Sequence, residues 1–171
     1  SLSEFLNDFL VHKKLKKKYK NLIVVRTFAK AWGAAGLRIG YAVAHPETSK
    51  LLHKLKPMYE TSTFAVEFMT RMLDHQQAMK KSVSSINEAK TYFCEEMERL
   101  GFKTLPTEGN FCHVAFGEKS AVLHSALKNH VLYRESFDHP CLEGFTRFSV
   151  APKLVMPEGV KIIHRALKDI V

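Results

Sequence analysis

The chain is poor in cysteine and tryptophan and has no long apolar run. Its 171 residues include three cysteines and one tryptophan. Cys94, Cys112 and Cys141 are widely spaced and odd in number, which argues against a disulfide framework and for reduced thiols in a cytoplasmic protein. No apolar stretch approaches the roughly 20 residues a helix needs to cross a bilayer, so no membrane partner is expected. Ser1-Leu2-Ser3 does not open a secretory signal. The nine histidines nowhere fall at metal-ligand spacing. His113, His124 and His130 read as surface or satisfied core residues, and no metal is expected. Repeats and low-complexity linkers are absent as well.

Acidic side chains are also in short supply, 17 against 26 basic ones, for a formal net charge of +9. Much of the excess sits in the run from His12 to Lys20, behind Phe5, Leu6, Phe9 and Leu10 at helical spacing. Such a run reads as the solvated end of a helix. No nucleic-acid motif accompanies it, so no nucleic-acid partner is expected. At 46% hydrophobic residues the chain can bury a real core.

What is present in abundance is chemistry between residues 22 and 44. Leu22-Ile23-Val24-Val25 is a short β-branched run of the kind that makes a fully buried strand, and Ala42-Val43-Ala44 reads as the next one. Between them runs Arg26-Thr27-Phe28-Ala29-Lys30-Ala31-Trp32-Gly33-Ala34-Ala35-Gly36-Leu37-Arg38-Ile39-Gly40-Tyr41. Gly33, Gly36 and Gly40 give this connection the freedom for tight turns and close approach to a ligand. Thr27 offers a hydroxyl and Arg38 a planar fork to phosphate oxygens. Lys30 offers an amine that can form a Schiff base, and burial beside Arg38 is expected to weaken its preference for the charged form. A lysine, a hydroxyl and an arginine on one glycine-rich turn suit a phosphorylated aldehyde cofactor, pyridoxal 5'-phosphate.

On these residues the chain resembles the fold-type I pyridoxal-phosphate enzymes, in the histidinol-phosphate aminotransferase-like branch of the class I and II aminotransferases. Residues 21 to 46 carry the resemblance most clearly. It implies that Lys30 is the lysine bonded to the cofactor and that Thr27 and Arg38 bind its phosphate. Arg147, in Gly144-Phe145-Thr146-Arg147-Phe148-Ser149-Val150, matches the arginine that holds the substrate's carboxylate or phosphate. A strand arginine among Phe145, Phe148 and Val150 is expensive to bury without an anion, so a partner is expected. Arg134 resembles the branch's second arginine, and Asn110, in Asn110-Phe111, the residue that orients Arg147. The sequence departs from the branch at Ala29, where Ser is usual, at Gly109 for Ala, at Ala151 in Val150-Ala151-Pro152, and at Pro57-Met58-Tyr59-Glu60 for Pro-Tyr-Asn. An acidic Glu60 near the site is expected to alter substrate preference.

The rest of the chain reads as α/β. Helices are expected from Pro46 to about Leu55, from Ser62 with Phe64, Ala65, Phe68, Met69, Met72 and Leu73 largely buried, from Gln76 to Leu100 with a stop at Gly101, from Ala121 to Asn129, and from Pro157 to Ile170. Strands are expected at Phe102–Thr104, Phe111–Phe116, Val131–Arg134 and Thr146–Val150. The fold class implied is the C-terminal part of the aspartate aminotransferase-like fold. Residues 1–75 would hold the last strands of a large parallel sheet in the cofactor-binding domain, and 76–171 a small α/β sandwich domain.

The resemblance implies transfer of an amino group between an amino acid or phosphorylated amine and a 2-oxo acid, by a homodimer when full length. The family's aspartate, tyrosine and glycine-rich phosphate loop lie upstream of the lysine strand and have no counterpart here. The chain therefore reads as a C-terminal portion, inactive on its own. Decarboxylase or C–S lyase chemistry of the same superfamily, or a non-catalytic binding module, are the alternatives.

Overall fold

The computed structural model describes residues 18–105 and 107–169. The expected N-terminal helix and most of its lysine run lie outside the described residues, as does Ile170. The contacts divide the chain into two compact units, residues 1–80 and 81–171.

In the first unit, β1 (Ile23–Thr27) and β2 (Gly40–Ala44) pair antiparallel, from Ile23 opposite Ala44 to Thr27 opposite Gly40. This corrects the expectation of parallel strands: among the described residues of the unit, the ribbon is the whole sheet. It also corrects the expectation of a fully buried strand, since Val25 is 73% and Ile23 41% exposed. β-branched residues favour the strand conformation whether or not a further layer covers them.

Helix α1 (Pro46–Leu55) starts as its sequence requires. His45 caps it, with Nδ1 accepting the Glu47 N–H at 3.4 Å, and Pro46 occupies the first turn, where no N–H is missed. Helix α2 (Thr63–Met72) is capped by Ser62, whose Oγ accepts the Ala65 N–H at 3.1 Å. Its apolar stripe is not largely buried as expected. Ala65 and Met69 are, but Phe64 is 69% exposed and meets Phe68, itself exposed, in a tilted contact at 6.0 Å. Apolar spacing marks a helix face without specifying what covers it.

The second unit is built on α3 (Gln76–Arg99), which begins in the first, and a four-stranded antiparallel sheet. The end of α3 is a Schellman turn. Gly101, at φ +83°, donates to the Glu98 carbonyl at 2.9 Å and Phe102 to that of Met97 at 3.0 Å. The sheet order is β3 (Lys103–Leu105), β4 (Phe111–Ala115), β6 (Phe145–Ser149), β5 (Tyr133–Arg134). Helices α4 (Ser120–Leu127) and α5 (Met156–Lys168) complete the unit. Strand β5 is shorter than expected. Val131 closes α4 instead, its N–H bonding to the Leu127 carbonyl at 3.0 Å, so that backbone group is taken before the sheet begins.

Strand alternation then sorts the side chains. Cys112 and Val114 of β4, and Phe148 of β6, point into one core with Ala89, Phe93 and Met97 of α3, Leu123 and Leu127 of α4, and Val160 and Ile163 of α5. Phe148 is its aromatic hub, with ring centroids 5.3 Å from Phe93, 5.8 Å from Phe116 and 5.7 Å from Tyr133. His124 is satisfied by Thr146 Oγ1 at 2.8 Å and stacks on Tyr133. Among the described residues no helix is long and apolar enough to cross a membrane.

Truncating this core tests the assignment. Phe93→Ala is expected to destabilise the second unit by about 3–5 kcal/mol, read as a lower urea midpoint, because the fully buried ring leaves a cavity that rigid neighbours do not close.

Candidate active site

Three of the sequence-derived site residues lie on or beside one connection, residues 28–39 between β1 and β2, which holds Lys30 and Arg38. Thr27 ends β1, and its Oγ1 accepts the Ala29 N–H at 3.0 Å. The Lys30 carbonyl accepts from Gly33, at φ +65°, at 2.9 Å, so Lys30 opens a tight turn. The Phe28 carbonyl accepts from Ala34 at 3.1 Å, while the Phe28 N–H donates to the Ile39 carbonyl at 3.3 Å. Trp32 and Tyr41 pack against the Phe28 ring at 6.2 and 5.6 Å. The loop is therefore held by its own backbone and by an aromatic cluster.

Arg38 closes it in the left-handed region, at φ 51° and ψ 40°. For a residue with a side chain this costs roughly 1–2 kcal/mol. The Arg38 Nη1 donates to the Ala35 carbonyl at 3.1 Å, which fixes one edge of the guanidinium. Gly40 is demanded by close approach: a Cβ there would lie 2.6 Å from the Arg26 carbonyl oxygen. The expectation that Lys30 is buried beside Arg38 is corrected, because both side chains are exposed. The ribbon has no layer over this loop among the described residues.

The second unit brings Arg134 and Arg147 together. They are direct partners in the β5–β6 ladder, and His113 is the partner of Arg147 on β4. By alternation all three lie on the sheet face opposite the helices. A ring that the sequence reading did not single out, Phe137, organises them. The Arg134 guanidinium lies 4.5 Å from its centroid, that of Arg147 5.7 Å, and the His113 ring 5.3 Å. Phe111 takes the other contacts, 5.5 Å from Arg147 and 5.4 Å from His113. Two like charges on adjacent strands repel, and aromatic faces offset part of that cost; the Arg134 Nε donates to the Ser136 carbonyl at 3.2 Å, which ties one edge of that guanidinium.

Asn110 stands beside the end of β6. Its carbonyl accepts the Val150 N–H at 2.9 Å and so extends the ladder, while the rings of Phe111 and Phe137 are what flank the Arg147 guanidinium. Gly109 has a local reason: a Cβ there would overlap the Phe111 ring. Lys90 holds the same turn by donating to the Thr107 and Gly109 carbonyls at 2.7 and 3.0 Å. Glu60 is tied to Lys56 in an ion pair of 2.8 Å.

His113 is buried, and that burial, reinforced by Arg147, pulls its pKa below 6.5. No sequence signal marked it, because its neighbours come from three separate segments.

The chain belongs to the class I and II aminotransferase family, whose model matches residues 7–162. The fold is that of the pyridoxal-phosphate-dependent aminotransferases. The histidinol-phosphate aminotransferase of Geotalea daltonii is 28% identical over 147 residues, covering 85% of this chain and 42% of that protein. The crystal structure of histidinol-phosphate aminotransferase from Sinorhizobium meliloti in complex with pyridoxal-5'-phosphate matches at a TM-score of 0.76 and 25% identity, covering 89% of this chain and 42% of that one. The L-threonine-O-3-phosphate decarboxylase of Porphyromonas gingivalis shares the fold at a TM-score of 0.74 and 23% identity, over 90% of this chain and 49% of that one. The chain spans less than half the length of the curated relatives it matches.

The depressed His113 pKa sets a pH dependence with a defined sign. Below pH 6.5 the unfolded chain binds the proton more readily than the folded one, so this contribution is full above that pH and is lost as the pH falls through the folded value. His113→Phe keeps a ring between Phe111 and Phe137 and removes the titration. The variant should lose less stability than the parent between about pH 7.5 and about pH 5.5 in urea titrations.

Proposed function

We propose that this chain is part of a pyridoxal 5'-phosphate-dependent aminotransferase that moves an amino group between a phosphorylated or doubly acidic amine and a 2-oxo acid. The observation that carries the reading is the connection between β1 and β2, where the loop's own hydrogen bonds hold an amine, a hydroxyl and a guanidinium at defined backbone positions.

These residues suit the cofactor chemically. Thr27 accepts a backbone N–H with a lone pair, so its hydroxyl proton is available to a phosphate oxygen. Arg38 has one edge tied to Ala35 and offers its remaining donors as a fork. The Lys30 amine is exposed to an incoming carbonyl carbon. Ala29 contributes its backbone N–H to Thr27 and no hydroxyl of its own. When bound, the cofactor supplies an electron sink for negative charge at the substrate α-carbon. Lys30 is the general base that takes the proton from that carbon.

Arg147 and Arg134 bind the substrate's acid groups. Two guanidiniums held side by side over Phe137 favour a dianion such as a phosphate monoester over a single carboxylate. Asn110, next to β6, supports the position of Arg147 through the ladder. We assign residues 1–75 to the end of the cofactor-binding domain and 76–171 to the small domain; the division of contacts between Lys80 and Lys81 supports this. We further assign the complete enzyme to the cytoplasm, as a homodimer, since the free cysteines suit a reducing compartment.

A second reading, decarboxylation of a phosphorylated amino acid, draws on the likeness to the Porphyromonas decarboxylase, because the same two arginines suit that phosphate equally well. Product analysis separates them: an oxo acid for transfer, carbon dioxide and an amine for decarboxylation.

Borohydride reduction of the complete enzyme with its cofactor, followed by peptide mass analysis, should place the reduced adduct on Lys30; an adduct on another lysine would refute the assignment. Arg147→Lys keeps the charge and loses the bidentate fork, so kcat/KM should fall on the order of tenfold to a hundredfold while cofactor affinity holds. Arg38→Lys should weaken the cofactor first. Equal cofactor defects in both variants would show that the division of labour is wrong.

A further inference from the structure

Away from these residues, the second unit holds two thiols in one cavity. Cys94 on α3 and Cys112 on β4 both line a space of about 360 Å³, together with Lys90, Glu98, Thr104 and Thr107. The pairing is tertiary. Cys112 is on the core side of β4 and fully buried, whereas Cys94 is half-buried at the edge of the core. Cys141, the third thiol, is exposed elsewhere.

We propose that Cys94 and Cys112 form a hydroperoxide-reactive dithiol, in which Cys94 is oxidised first and Cys112 resolves it into a disulfide.

The pair is asymmetric in the sense this chemistry needs. The neighbouring Cys112 thiol is the main cause of a Cys94 pKa below its ordinary value. Lys90 acts in the same direction; burial, Glu98 and Glu95 oppose it. Cys112, beside Cys94 and the more buried of the two sulfurs, is held far above the ordinary thiol range. The Lys90 ammonium is anchored on the Thr107 and Gly109 carbonyls, so its charge stays beside the cavity. A thiolate is the form that attacks peroxide, and a neighbouring thiol is what converts the product into a disulfide.

The steps balance. The Cys94 thiolate attacks one peroxide oxygen; an S–O bond forms, the O–O bond breaks, and hydroxide leaves. Sulfur is oxidised to the sulfenic acid and peroxide is reduced. The Cys112 thiol gives its proton to that hydroxide, forming water, and its sulfur attacks Cys94. The S–S bond forms, the S–O bond breaks, and the departing oxygen leaves as a second water after taking up a proton from solvent. That proton replaces the one Cys94 released on ionising. Overall, two thiols and one hydrogen peroxide give one disulfide and two waters; an organic hydroperoxide would give one water and one alcohol.

The test uses the folded chain and does not depend on aminotransferase activity. Limited hydrogen peroxide is followed by alkylation under denaturing conditions and by peptide mass analysis without reduction. A peptide pair joined through Cys94 and Cys112, with Cys141 alkylated, is expected, and dithiothreitol should release it. In Cys112→Ala, a dimedone adduct should appear on Cys94. Oxidation confined to Cys141, with Cys94 and Cys112 both alkylated in the parent chain, would overturn the proposal. So would a dimedone adduct on Cys112 in Cys94→Ser with none on Cys94 in Cys112→Ala.

Discussion

Everything in the second unit depends on the pairing of β4 with β6. In that ladder Cys112 faces Phe148 while His113 faces Arg147, so one register assigns the core and the charged face together. A slip of one residue would drive the Arg147 guanidinium toward Phe93 and Phe116 and lift Phe148 into solvent. Burying an unpaired guanidinium costs several kcal/mol, roughly, and exposing the ring forfeits a further few. The register that makes the core is thus the one that puts Arg147 beside Arg134.

The aromatic residues extend this logic to the polar face. Phe137 lies in the segment between β5 and β6, where no strand periodicity constrains it, yet it contacts both guanidiniums and His113. The same face keeps His113 neutral more readily than water would, because burial disfavours its charged form and the Arg147 guanidinium beside it adds repulsion. Gly109 and Lys90 act one layer back, the first by leaving room for the Phe111 ring and the second by holding the turn before it.

The first unit solves a different problem. Among the described residues Lys30 is exposed, and the loop that carries it is held by its own backbone. The Thr27–Gly40 pair closes its base, hydrogen bonds from Phe28, Ala34 and Gly33 cross it, and Arg38 is held in a backbone conformation that side chains avoid. That left-handed residue is the one proposed above as a phosphate ligand, and strained backbone tends to collect at functional sites.

The residues whose chemistry is local were legible in the chain itself. The Schellman stop at Gly101, the Ser62 cap, the close-packed Gly40 and the motif from Thr27 to Arg38 each depend on neighbours a few positions away, and sequence carries such information directly. Arg147 drew notice in the sequence through the family resemblance of its strand segment, since an arginine among strand-forming residues also fits a solvent-facing position. Contacts between distant segments decided the rest. The antiparallel sense of β1 and β2, the exposure of Phe64 and Lys30, the gathering of Arg134, Arg147 and His113 on Phe137, and the meeting of Cys94 with Cys112 all depend on which surfaces come to lie against one another. Periodicity tells a segment which face is apolar; only the packed chain supplies the surface that face meets.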